Sequence, residues 1–187
     1  MITRMWGGEC AAYFSGGRVS VYAVDKLMAQ TRKLAAEYRQ MTGQPLPVTA
    51  EIANYDAARL LGLELVPQAP GGFDAVGLGE REGMRYQVKG RAIFDEAKSG
   101  HRIGQLKLEQ EWDAVLLVLL DEQYEPYEIY EASRESIQEA MDEAGDSKRS
   151  KRGAMSVARF RHLARLVWCR EEGAVTEQEV WEHNPDL

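Results

Sequence analysis

The order of elements legible in this 187-residue chain predicts an α/β fold, a mixed central β-sheet flanked by helices. Three observations predict it. Two helix-periodic stretches come first, Val21 to Met41 and Thr49 to Leu61. Two short strand patterns joined by a glycine-bounded turn follow. Then Ala114 to Leu120 forms an unbroken apolar run, the pattern of a strand covered on both faces.

In the first helix Val24, Leu27, Met28, Thr31, Leu34, Ala35 and Tyr38 recur at spacings of three and four, and Gly43 and Pro45 close the pattern. It is expected to pack one face. Thr49 is expected to cap the second helix and Gly62 to end it. Its arc is mostly small and apolar: Ala50, Ala53, Asn54, Ala57, Ala58, Leu60 and Leu61, with Glu51 at the rim beside Ala58. Leu63 to Val66 reads as a short strand. Phe73 to Val76 after Gly71-Gly72, and Met84 to Val88 after the turn signal Gly79 to Gly83, read as a β-hairpin. Tyr127 to Tyr130 is a further strand, and Ser133 is expected to cap a helix reaching about Glu143, with Glu135 suiting its first turn. A last helix is expected from Ser156 to about Val167. It would set Val157, Phe160, Leu163, Ala164 and Val167 against Arg159, Arg161, His162 and Arg165. Residues 1–20 read as a loose leader, 21–170 as one domain and 171–187 as a polar tail.

With 44% apolar residues the chain can build a core. Its longest apolar run, Ala114 to Leu120, falls far short of the roughly 20 residues of a spanning helix, so no membrane segment is expected. The first twenty residues hold no apolar stretch of signal-peptide length, and a cytoplasmic location is the expectation. Cys10 and Cys169 lie at opposite ends and fit no metal spacing, and the three histidines do not form a ligand set. The aromatic group Trp112, Tyr124, Tyr127 and Tyr130 surrounds the apolar strand and reads as packing.

A net charge of −7 argues against a protein that coats nucleic acid indiscriminately. Charge is nevertheless segregated. Lys148 to Arg170 is basic without a single acidic residue, whereas Asp121 to Asp146 is dense in Asp and Glu. Lys148, Arg149, Lys151, Arg152, Arg161 and Arg165 read either as a phosphate-binding loop and helix face or as the complement of the chain's own acidic segment from Glu131. Arg91, Lys98, His101 and Arg102 follow the hairpin, where phosphate contacts or plain surface charge are both open readings.

The candidate site lies on the hairpin. Twelve residues separate Asp74 from Gln87, and in Gln87-Val88-Lys89 the first and third side chains share a strand face. A hairpin folds them back toward Asp74. A carboxylate, an amide oxygen and an ammonium brought together can hold a divalent metal against a phosphate.

Glu51 on a helix, Asp74 after Phe73, and Gln87-Val88-Lys89 on the next strand resemble the PD-(D/E)XK, or restriction-endonuclease-like, nuclease superfamily, in the variant with Gln for the second acidic residue found in Mrr-type enzymes. Gln87 to Arg91 and Glu111-Trp112-Asp113 through Asp121 also resemble segments of uncharacterised bacterial proteins of that fold. The resemblance spans about Val48 to Ser136 and departs from the family pattern in having Phe73 where the proline stands. It implies a Mg²⁺- or Mn²⁺-dependent nuclease acting on DNA. Asp74 would be the main metal ligand, Gln87 and the Val88 carbonyl would complete the site, and Glu51 would bind the metal directly or through water. Lys89 would meet the scissile phosphate. Gln87 also fits the alternative, a relative that binds nucleic acid or a protein without cutting. Nucleases of this fold often act as dimers, so a homodimer is a further expectation.

Overall fold

The computed structural model describes residues 21–66, 71–95, 97, 100–143 and 154–175. The helices are α1 (Val21–Thr42), α2 (Thr49–Leu61), α3 (Arg134–Glu143) and α4 (Val157–Leu163). The strands are β1 (Leu63–Leu65), β2 (Ala75–Gly77), β3 (Arg85–Ala92), β4 (Ala114–Leu120), β5 (Pro126–Ser133), β6 (Arg165–Cys169) and β7 (Gly173–Ala174). They form one seven-stranded mixed sheet in sequence order, and only β3 and β4 run parallel. That parallel pair needs a crossover, and residues 93–113 supply it.

Alternation along the strands splits the interior in two. Tyr86 and Val88 of β3 and Leu116 and Val118 of β4 face Ile52, Ala53 and Ala57 of α2. Val115, Leu117 and Leu119 face the other way, onto Trp112, Ile137 of α3 and Phe160 of α4. β4 is buried at every position, which is why its sequence shows no alternation. Trp112, Tyr124 and Tyr130 are buried and Tyr127 packs against the second core, so these aromatics do serve packing.

Gly90 fixes how close α2 comes to the sheet. A Cβ there would stand 2.6 Å from the Ala53 Cβ and 2.7 Å from the Thr49 carbonyl oxygen, so only glycine admits the helix at this distance. At the other end of α2, Gly62 takes the left-handed conformation (φ 66°), and its N–H returns to the Ala58 carbonyl as expected of a C-cap. At the N-terminus Val48 holds the cap position and no side chain caps, while Thr49 is already helical. The buried face also differs from the expected arc: Ile52 and Asp56 are inside and Ala50 is exposed. Asp56 can be buried because Arg32 of α1 reaches it at 2.5 Å and also donates to the Tyr124 carbonyl.

α1 does not pack a single apolar face. Arg32, Ala35 and Ala36 turn inward, and the Arg39 guanidinium lies 3.8 Å over the Phe94 ring. Leu27, Leu34 and Tyr38 point outward.

The last expected helix is the other departure. It stops at Leu163, Ala164 is extended (φ −104°, ψ 156°), and Arg165–Cys169 pairs with β5 as β6. Val167 satisfies both the helical and the strand period, and the ladder offered by β5 decides between them. Arg165 is therefore on a strand rather than on the helix with Arg161. Gly173–Ala174 extends the sheet into the segment read as a polar tail. Among the described residues no helix is long and apolar enough to cross a membrane.

Candidate functional site

The ladder of the hairpin continues one residue past β2, because the Asp74 N–H donates to the Tyr86 carbonyl at 2.7 Å. This aligns the Asp74 carboxylate with β3, where one of its oxygens accepts the Val88 N–H at 2.8 Å. Asp74 is thus held at the motif strand by main-chain geometry. It borders a cavity of about 420 Å³ whose other polar lining comes from Glu51, Asn54 and Tyr55 of α2 and from Lys107 of the crossover. Val24 and Met28 of α1, together with Phe73, form its apolar side.

Lys89 lies on the same strand, with its stem passing Gly104 of the crossover, where a Cβ would stand 3.7 Å from the lysine Cδ. Burial pushes its ammonium pKa down, the Asp74 carboxylate pulls it back up, and the Lys107 ammonium lowers it. The two charge influences place Lys89 within electrostatic reach of both Asp74 and Lys107. Asp74, Lys89 and Lys107 therefore form one charged group, and Glu51 shares the cavity with Asp74 and Lys107.

Gln87 is used differently from the sequence expectation. It is fully buried. Its amide oxygen accepts the Lys107 N–H at 3.2 Å and its amide nitrogen donates to the Lys107 carbonyl at 3.3 Å. A buried amide is costly unless both ends are satisfied, and here both close on one residue of the crossover. Gln87 thereby fixes the backbone that carries Lys107 to the cavity. The Trp112 indole N–H donates to the same Lys107 carbonyl at 2.8 Å. Lys107 gives no signal of its own in Leu106-Lys107-Leu108. The one sequence cue was that a glutamine facing a covered sheet needs backbone partners.

Among the described residues no three Asp, Glu, His or Cys side chains form a group able to hold a metal ion. A cation at this cavity would be held by two carboxylates, Asp74 and Glu51, with neutral oxygens completing the shell. That is an oxygen-only donor set of the kind hard cations take. Both carboxylates border the one cavity, while Gln87, engaged by Lys107, is outside its lining.

The remaining expected phosphate contacts lie elsewhere. Arg91 is exposed on β3, on the strand face of Gln87 and Lys89. Arg102 is exposed and forms an isolated antiparallel bridge with Ser156. The backbone of His101 accepts the Val157 N–H, which fastens the crossover to α4, and its ring contacts the Asp95 carbonyl at 3.3 Å. Arg161 bonds the Tyr130 hydroxyl at 2.9 Å and pairs with Glu128 at 3.4 Å. Arg165 pairs with Glu131 at 3.5 Å. Their partners are on β5, so the described part of the basic stretch complements the chain's own carboxylates. Lys98, Lys148, Arg149, Lys151 and Arg152 lie outside the described residues, as does Cys10. Cys169 is buried with a free thiol.

In comparisons with known proteins, no family model and no curated sequence matches this chain.

Proposed function

We propose that the chain is a restriction-endonuclease-like protein that hydrolyses phosphodiester bonds of DNA at the cavity bordered by Asp74, Glu51 and Lys107, with Lys89 beside Asp74. The observation carrying this reading is that two carboxylates and a lysine line one cavity, with the half-buried Lys89 beside it. Asp74 and Glu51 would hold Mg²⁺, which when bound supplies charge neutralisation and an activated water. Lys89, kept beside Asp74, presents a cation to a phosphate oxygen as negative charge builds there. Lys107 offers a second cation to the same backbone. Gln87 positions Lys107 and stays out of the metal shell.

The test is incubation of the full chain with plasmid and single-stranded DNA in Mg²⁺ or Mn²⁺, beside Asp74→Ala and Lys89→Ala. Cleavage by the parent chain, reduced about 10²- to 10³-fold in each variant, is expected. Equal cleavage by all three would place the activity in a contaminant or in another site.

One observation favours a second reading, a module of this fold that binds nucleic acid without cutting. Both polar atoms of Gln87 are engaged by Lys107, so the motif position that carries an acid in the nuclease pattern offers no charge here. Calorimetry with Mn²⁺ separates the readings. Binding that disappears in Asp74→Ala supports the enzyme, and absence of heat at millimolar Mn²⁺ supports the binding module.

A further inference from the structure

The cavity that Asp74, Glu51 and Lys107 border is lined elsewhere by groups for which a phosphate has no use. Val24 and Met28 come from α1, Leu65 and Val66 from the end of β1, and Phe73 and the Tyr55 ring add two aromatic surfaces. Val66 stands beside the carboxylate itself. Its N–H donates to the Asp74 carbonyl at 3.0 Å, one step past the Leu65–Ala75 pair, so the two side chains share a face of the sheet. The α1 wall is fastened in place. The Tyr55 hydroxyl donates to Asp25 of α1, and two turns further along that helix Arg32 pairs with Asp56.

Three observations bear on what meets this wall when a phosphate reaches the two acids. The volume, about 420 Å³, lies near the lower end of the about 300 to 1,000 Å³ of pockets that take one small molecule. It has room for one nucleotide and excludes a stacked base pair. Next, the lining suits a base that has left its stack. In a duplex the bases face inward, so its phosphates would bring only sugar edges to Phe73 and Met28, whereas an unpaired base presents its whole face to them. Finally, cations are few. Proteins that grip a duplex neutralise many phosphates, yet Lys107 is the only basic residue of the lining among the described residues, and Lys89 stands beside Asp74. Arg161 and Arg165 are turned to Glu128 and Glu131.

We infer that the site takes one unpaired nucleotide and that the substrate is single-stranded DNA, with the phosphate at Asp74 and Glu51 and the base against Phe73 and Met28. Asn54, in the same lining, offers an amide that can donate to or accept from the edge of that base. The placement of the phosphate rests on the hydrolase reading, and the state of the strand is what is added to it.

Fluorescence anisotropy of the full chain is the test, with a labelled single strand of about 20 nucleotides, longer than common single-strand site sizes, and the blunt duplex of the same sequence. Binding is read in Ca²⁺, and the recovered probes are checked for intact length. The strand is expected to bind at least about 10-fold more tightly than the duplex. Phe73→Leu keeps apolar bulk where Phe73 also packs on the second core and removes the aromatic plane. It and Met28→Ser should each weaken strand binding by about 5- to 100-fold, with duplex binding and circular dichroism unchanged. Phe73→Leu decides should Met28→Ser disturb α1. Duplex bound as tightly as the strand, no binding of either probe, or a strand preference that neither variant reduces overturns the inference. A chain that keeps the preference and cuts nothing in Mg²⁺ supports the inference and defeats the hydrolase reading. Cleavage within a linear duplex that is lost in Asp74→Ala supports that reading and overturns the inference.

Discussion

The charged residues around Asp74 and those around Glu131 are made of the same side chains and behave in opposite ways. On the β5–β6 side, Glu131 lies between Arg165 at 3.5 Å and Arg81 at 3.8 Å, and Glu128 holds Arg161. Positive and negative charges there are matched inside the chain. Around the cavity, the carboxylates of Asp74 and Glu51 and the ammonium of Lys107 border an open volume, and Lys89 stands beside Asp74 without an ion pair among the described contacts. For the described residues of the basic stretch, grouping in the sequence is therefore a poor guide to where this molecule could take a phosphate. Lys107, which lines the cavity, and Lys89, beside Asp74, come from separate segments of the chain.

Four measurements sharpen or break that contrast. The largest effect is expected at the most buried matched pair. Arg32→Met removes the 2.5 Å partner of the buried Asp56 carboxylate, leaving Arg59 at 3.7 Å, and should lower folding stability by about 3 kcal/mol in chemical denaturation. Burial already raises the Asp56 pKa, with Arg32 opposing. Without Arg32 the folded chain binds a proton more readily than the unfolded one, so stability of the variant should climb as the pH falls toward the acid range and drop as it rises. A flat profile would mean that Arg59 compensates the Asp56 charge alone.

Lys89 comes next. Lys89→Ala should cost about 3 kcal/mol of barrier lowering in cleavage while the fold persists. In the parent, rate that depends on protonated Lys89 should fade as pH rises through a pKa below that of a free lysine, because burial favours the neutral amine. An alkaline limb at the free-lysine position would show that Lys89 is in water.

Gln87→Glu tests the role of the motif residue directly. A carboxylate there would confront the Lys107 carbonyl, and a stability loss of about 1 to 3 kcal/mol is expected by thermal denaturation. Tighter Mn²⁺ binding with no loss of stability would instead make this position a metal ligand.

The smallest effect belongs to the matched surface charges. Arg161→Ala should lower stability by about 1 kcal/mol or less and leave the salt dependence of DNA binding unchanged. A shallower salt slope would move Arg161 to the nucleic-acid surface and erase the contrast between the two regions.

Much of the sheet was readable because the residues that build it signal locally. Ala114 to Leu120 announced a doubly covered strand, and Gly79 to Gly83 announced the hairpin turn. Gly62 marked the end of α2. The site was half readable on the same basis: strand alternation put Gln87 and Lys89 on one face, and hairpin geometry brought Asp74 to β3. What the residues could not reveal were outcomes fixed at long range. Lys107 reaches the cavity only because the crossover is tied to Gln87 twenty positions earlier in the chain. Asp56 can be interior only because Arg32 arrives from another helix, which is why the buried face of α2 was misjudged by its apolar letters. Val167 suited a helix as well as a strand until β5 supplied a neighbour.

The contact between Gly90 and α2 bears on evolution at this position. Glu51 is in the first turn of that helix, next to Thr49 and Ala53, while Asp74 is anchored to the sheet. The spacing between the two acids is therefore set by a missing methyl group, and mutation to alanine would prise helix and strand apart like a shim under a hinge. Drift in the amino acids lining the cavity could be absorbed one at a time, whereas a change at Gly90 would misalign both walls at once.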